Sequence, residues 1–182
     1  MIIKNNVDKL RVKCEDVSEK EVADLIYLLE RELKESEKNG APGIGLAAPQ
    51  ININKNIAIV RIDNNNRVNL VNCKIDKMYD PVIFNDEGCL SFPGRLENTT
   101  RYKEVHISNN LVYPNKFIAT GLMAVVCQHE IDHLNGNLFF DHAIKTNQLI
   151  SGKKIGPNDP CICNKIDLLT GKIKKYKKCC GK

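Results

Sequence analysis

The chain has 182 residues, enough for one core-forming domain with a short appendage, and its 27 basic and 22 acidic side chains leave a net charge of +5. No stretch is apolar for long enough to span a bilayer, and the start, "MIIKNNVDKLRVK", lacks the uninterrupted apolar run of a signal peptide, so a cytoplasmic protein is expected. In that reducing setting the eight cysteines are expected to be free thiols or metal ligands rather than disulfides.

Residues 18–38 read as a helix. Ser18 and Glu21 fit a capping box, Val22, Leu25, Ile26, Leu29 and Leu33 form one apolar stripe, and Asn39-Gly40 ends it. "APGIGLAAPQ", residues 41–50, has no clear period and small residues throughout, the signature of a loop whose backbone approaches something closely. "NIAIVRID" and "RVNLVN" read as strands flanking the turn "DNNN", and "PVIF" and "EVHIS" as shorter strands. Residues 119–134 read as a largely buried helix stopped near Gly136, and "SGKKIGPNDP", residues 151–160, as a linker. No internal repeat is evident. Strands around a buried helix point to an α+β domain with mixed β-sheets.

Charge and cysteine divide the chain in two. Residues 151–182 hold nine lysines against Asp159 and Asp167, a balance of +7 that leaves −2 for residues 1–150. Cys14, Cys73, Cys89 and Cys127 are scattered through the body, whereas Cys161, Cys163, Cys179 and Cys180 crowd the tail. The expected organisation is therefore a body over 1–150 and a basic, cysteine-rich tail over 151–182.

The chemistry centres on "QHEIDHLNG", residues 128–136. His129 and His133 stand four apart, so on a helix both imidazoles reach one metal ion, and Glu130 between them is placed as the general base for water. A catalytic site of this kind needs a third protein ligand. The metzincin pattern matches through Gly136 and fails at Phe139, where a third histidine would stand, and no glutamate follows Glu130 to complete a thermolysin-like set. Asp141 and His142 lie near the helix end at no spacing that closes a site. Upstream, Cys89 alone among the body cysteines sits in a segment suited to display, "DEGCLSFPG", and a thiolate suits zinc or ferrous iron.

Three separated stretches, "GIGLAAPQ" (43–50), "EGCLS" (87–91) and "QHEIDH" (128–133), resemble the motifs of peptide deformylase, in the family's order and within roughly residues 1–146. The resemblance implies the peptide deformylase-like fold, with HExxH on the buried central helix and Cys89, His129 and His133 as metal ligands with water in the fourth position. It implies ferrous iron as the catalytic divalent ion, with zinc, nickel or cobalt also compatible. The activity implied is removal of the formyl group from the N-terminal formylmethionine of nascent polypeptides. Metal-bound water would attack the formyl carbon with Glu130 as general base and acid. The metal, the Gln50 amide and the Leu90 N–H would stabilise the oxyanion. Gly43 and Gly45 would let the loop pair with the peptide as an added strand, and Ile44, Leu122, Val125 and Val126 match positions near the methionine pocket. Glu87 and Arg101 match a carboxylate–guanidinium pair behind the cysteine loop. One departure is Asn72-Cys73, where the family has Asn-Pro.

"GPNDPCICNKIDLLTGKIKKYKKCCGK", residues 156–182, resembles the SEC-C motif, a small zinc knuckle found at the end of the SecA translocase ATPase. Cys161, Cys163, Cys179 and Cys180 would bind a structural zinc ion, although fifteen residues separate Cys163 from Cys179 because "IDLLTGKI" looks inserted. A basic knuckle suits an anionic partner, the ribosome or RNA, with a secretion factor as the alternative. Cys14, Cys73 and Cys127 read as packed thiols, and His106 and His142 as structural or surface histidines. Two functional classes follow: a metal-dependent deformylase, and a binding module whose body has lost activity. Intact candidate ligands and base favour the enzyme.

Overall fold

The computed structural model describes residues 1–144. The expected boundary at 150, the linker and the four tail cysteines lie outside the described residues.

A short helix α1, Val7–Leu10, is capped by Asn6, whose side chain accepts from the Lys9 N–H at 3.0 Å, and it buries Leu10 completely. Helix α2, Glu19–Lys38, begins where the Glu21 carboxylate accepts from the Ser18 N–H at 2.9 Å. Leu29 and Leu33 are its buried residues, with Val22, Leu25 and Ile26 partly buried beside them. The chain leaves the helix through Gly40 at φ +78°, a backbone glycine adopts without strain.

The segment expected to be a loop at 41–50 carries a short strand, β1, Gly45–Ala47, and then a 3-10 turn over Ala48–Ile51. Strands β2, Ile57–Arg61, and β3, Arg67–Val71, complete a three-stranded sheet in the order β1-β2-β3. Their connection is tight because Asp63 Oδ1 accepts from the N–H groups of Asn65 and Asn66, both at 2.8 Å.

"PVIF" and "EVHIS" turn out to be pieces of much longer strands, β4, Lys74–Gly88, and β5, Leu96–Ser108, which with β6, Lys116–Thr120, form the second sheet. Most of β4 lies open to solvent, so polar and charged residues line it and mask its length in the sequence. Two register shifts interrupt the β4–β5 pairing, and the second, between Phe84 and Glu87, breaks the alternation just before the cysteine loop. Every pairing between the named strands is antiparallel, and one isolated parallel bridge, Glu15 to Lys55, lies outside them.

Helix α3, Gly121–Leu134, is buried on nearly all sides and packs against β1, β2, β5 and β6. Its core includes Ala124, Val126, Cys127, Ile131 and Leu134 against Ala58, Val60, Leu70, Val105 and Ile107. Gln128 fixes its depth: the side-chain amide donates to Tyr102 O at 2.9 Å and accepts from the Tyr102 N–H at 3.0 Å, joining helix to β5 like one more rung of the ladder. The chain turns away after the helix at Gly136, φ +75°, where a Cβ would press on the Arg11 and Val12 backbone at 3.1 Å. Among the described residues, no helix is long and apolar enough to cross a membrane.

Replacing Gln128 by methionine keeps the volume and strips both backbone groups of Tyr102 of their partners. Tyr102 is half-buried, so each orphaned group costs at most about 1–3 kcal/mol. Urea denaturation of the variant should show a lower midpoint with an unchanged slope; an unchanged midpoint would contradict the assigned clamp.

Candidate active site

Three donor atoms converge at the face of α3. Cys89 Sγ and one ring nitrogen each of His129 and His133 all lie within 4.8 Å of one another, and Cys89 Sγ is 3.3 Å from His133 Nε2. One sulfur and two imidazole nitrogens, open on one side to a cavity, fit a borderline or soft divalent ion with a free coordination position. The two histidines come from successive turns of α3, and Cys89 follows the irregular end of β4.

Glu87 reaches the site from behind. Its Oε1 pairs with His129 Nδ1 at 2.7 Å and accepts from Arg101 Nη2 at 2.6 Å, while Oε2 accepts from Arg101 Nε at 2.9 Å and Thr99 Oγ1 at 2.5 Å. Arg101 Nη1 also donates to Asp132 Oδ2 at 2.6 Å. Burial pushes the Glu87 carboxyl up, but the His129 and Arg101 hydrogen bonds outweigh it and hold its pKa at about 2. A carboxylate on Nδ1 sets the tautomer of His129 and aims its other nitrogen into the site. Phe139, where the longer protease pattern has a histidine, instead stacks on His129 with ring centroids 5.9 Å apart.

Glu130 is 3% exposed, and its Oε2 has no hydrogen-bond partner. Burial raises its pKa to about 7; the charge of His129 opposes this and those of Glu87 and Asp132 add to it. Its approach to β1 is possible only because residue 45 is glycine: a Cβ there would stand 2.3 Å from Glu130 Oε1. Gln50, 2% exposed, accepts from the Ala47 N–H at 2.8 Å and donates to Ser91 Oγ at 3.2 Å and Cys89 Sγ at 3.5 Å. The Ser91 N–H also points at Cys89 Sγ, at 3.4 Å.

In front lies a cavity of about 560 Å³. Gly43, Ile44, Gly45, Leu122, Val125 and Val126 line it together with Gln50, Cys89, Leu90, His129 and Glu130. The structure thus gathers the sequence-selected residues of the body in one place. It adds Asp132, Thr99 and Ser91, which sequence reasoning passed over; Asp132 lies inside "QHEIDH", yet its partner Arg101 is 31 residues away, so only the fold reveals the pair. Cys14, Cys73 and Cys127 stand apart from the cavity lining, and burial pushes the Cys14 and Cys73 thiols up to about 12 and Cys127 higher still.

A family model described as polypeptide deformylase matches residues 1–149. Among curated relatives, peptide deformylase 1 of Pseudomonas syringae pv. tomato is 41% identical over 106 residues; the match spans 56% of this chain and 63% of the relative's length. Among solved structures, peptide deformylase from Plasmodium falciparum superposes with a TM-score of 0.70 at 30% identity, over 82% of this chain and 89% of that chain. A Met-Ala-Ser-bound peptide deformylase from Acinetobacter baumannii superposes with a TM-score of 0.65 at 29% identity, over 78% of this chain and 96% of that chain.

Arg101 is the only cation bridging Glu87 and Asp132 among the described residues, and it is 2% exposed. Arg101→Met should take the guanidinium from both carboxylates, leaving Glu87 with His129 and Thr99 and Asp132 with His142, at a cost of about 3–5 kcal/mol. A urea midpoint close to that of the unaltered protein would show that the network contributes no net stability.

Proposed function

The chain belongs to the polypeptide deformylase family, and from that premise we propose that it hydrolyses the N-formyl group of formylmethionine at the start of nascent polypeptides. The observation that carries the reading is the convergence of Cys89, His129 and His133 within 4.8 Å beside the buried, unpartnered Glu130. The Met-Ala-Ser bound to the Acinetobacter baumannii relative supports a peptide beginning with methionine.

Cys89, His129 and His133 would hold one divalent ion; ferrous iron is the first choice, and zinc, nickel and cobalt also suit one thiolate and two imidazoles. Such an ion supplies Lewis acidity and lowers the pKa of water to about 7. Glu130 takes the proton of the attacking water at its carboxylate and returns it to the departing amine. The formyl oxygen gains charge as its carbon becomes tetrahedral, and the Gln50 Nε2 and the Leu90 N–H donate to it. Loss of one such donor costs roughly 3–4 kcal/mol of transition-state stabilisation. Gly43 and Gly45 free the backbone of their loop to pair with the peptide, and Ile44, Leu122, Val125 and Val126 take up the methionine side chain. Glu87, tied to Arg101, orients His129. The cytoplasm, where nascent chains begin with formylmethionine, is the setting this activity suits.

On sequence alone, the same reading extends to the tail. Cys161, Cys163, Cys179 and Cys180 bind a structural zinc ion, and nine lysines favour ribosomal RNA as a partner, which concentrates the enzyme where formylated chains emerge. A secretion factor is the alternative partner.

Glu130→Gln should retain the metal and lose turnover of a formyl-Met peptide by about 10²–10⁴-fold. Cys89→Ala should lower bound metal where Cys127→Ala does not. Near-normal turnover in the first variant, or equal metal content in the other two, would overturn the assignment. For the tail, Cys179→Ser/Cys180→Ser should remove one zinc per chain and reduce salt-sensitive co-sedimentation with ribosomes. Unchanged zinc and unchanged binding would eliminate the proposed tail site, and binding to a secretion factor alone would favour the alternative.

A further inference from the structure

Residues 3–5 cross behind both turns that face the cavity. The Ile3 N–H donates to Gln50 O at 2.7 Å, and the Asn5 N–H to Ser91 O at 2.8 Å. Between them the Lys4 ammonium donates to Leu90 O at 2.5 Å. Gln50 and Leu90 are far apart in sequence, yet three consecutive residues tie their backbones together.

The contact of Lys4 has a particular address. Cys89–Phe92 is a turn closed by the Phe92 N–H on Cys89 O at 3.0 Å. The carbonyl of Leu90 and the N–H of Ser91 are the two ends of one peptide unit, and that N–H points at Cys89 Sγ at 3.4 Å. A cation on the oxygen end polarises the unit and strengthens the hydrogen bond at the other end. The same contact restrains rotation of the turn about Leu90, whose own N–H belongs to the adjoining peptide unit.

We infer that Lys4 is a positioning residue, holding the Cys89–Phe92 turn, and with it the Cys89 sulfur and the Leu90 N–H, in register with the Gln50 turn. The consequence for turnover rests on the deformylase reading above; the effect on the turn does not. Lys4 is exposed, so the competing account is a solvated lysine that holds nothing.

The test compares full-length Lys4→Met, Lys4→Arg and the charge-matched control Lys13→Met. Amide hydrogen exchange resolved by NMR reads the turn directly. Lys4→Met should speed exchange at Ser91 and Phe92 about tenfold, and Lys4→Arg, which keeps a cationic donor, should restore protection. With a formyl-Met peptide, kcat of Lys4→Met should fall about tenfold while KM changes less than about twofold, since the turn acts on charge that develops in the transition state. Wild-type exchange in Lys4→Met, or the same acceleration in Lys13→Met, overturns the inference whatever the activity. A wild-type protein that does not turn over the peptide sinks the functional reading, and the exchange rates still decide the role of Lys4.

Discussion

Arg101 sits with its guanidinium divided between Glu87 on β4 and Asp132 on α3, and Glu87 passes the contact on to His129. A charge that deep is tolerated only when every lone pair around it is used, and here the fork of the guanidinium meets two carboxylates while Thr99 takes a further share of Glu87. The geometry of the site follows from this one constraint. β4 must break register to turn Glu87 inward, which brings the next residues, Gly88 and Cys89, to the face of the helix. α3 must present His129 and Asp132 on adjacent sides, so the helix cannot rotate without breaking the network. The interaction that fixes the packing of sheet on helix is thereby the one that orients the candidate metal ligand.

Around that frame the protein leaves other polar groups unsatisfied. Glu130 Oε2 and His133 Nδ1 are buried without partners, and such groups cost about 1–3 kcal/mol each. Glu130 lines the open cavity, so its free oxygen is available to a substrate, and close approach of the surrounding backbone keeps it in place. Gly45 lets β1 lie against the Glu130 carboxylate, where any side chain would collide. Gln128, one residue before the first histidine, commits its amide to the backbone, to both groups of Tyr102 and to the Ala124 carbonyl, so the polar run "QHE" is divided between anchoring and chemistry.

Much of this was legible in the sequence because local rules wrote it there. The Ser18–Glu21 cap, the apolar stripe of α2, the stop at Gly40 and the i, i+4 histidines are all short-range patterns, and the family membership shown by the match to residues 1–149 agrees with the resemblance read from three motifs. What stayed hidden was long-range or solvent-facing. β4 and β5 look like short strands because charged residues such as Lys77 and Glu104 interrupt the hydrophobic pattern at positions that remain paired. β1 hides in "GLA" because it is small and wholly buried, with no alternation to show a strand. Asp132, Ser91 and Lys4 have partners 31, 41 and 86 residues away, and no spacing rule reaches that far.

The central claim is that Cys89, His129 and His133 jointly bind one divalent ion, and anomalous diffraction from anaerobically grown crystals of the full chain tests it most directly. The account predicts one strong peak at about 2.3 Å from Cys89 Sγ and about 2.0–2.1 Å from one nitrogen of each histidine. A structure with metal in the protein but no peak at these three atoms, or with a peak that the Cys89 sulfur does not touch, would contradict it.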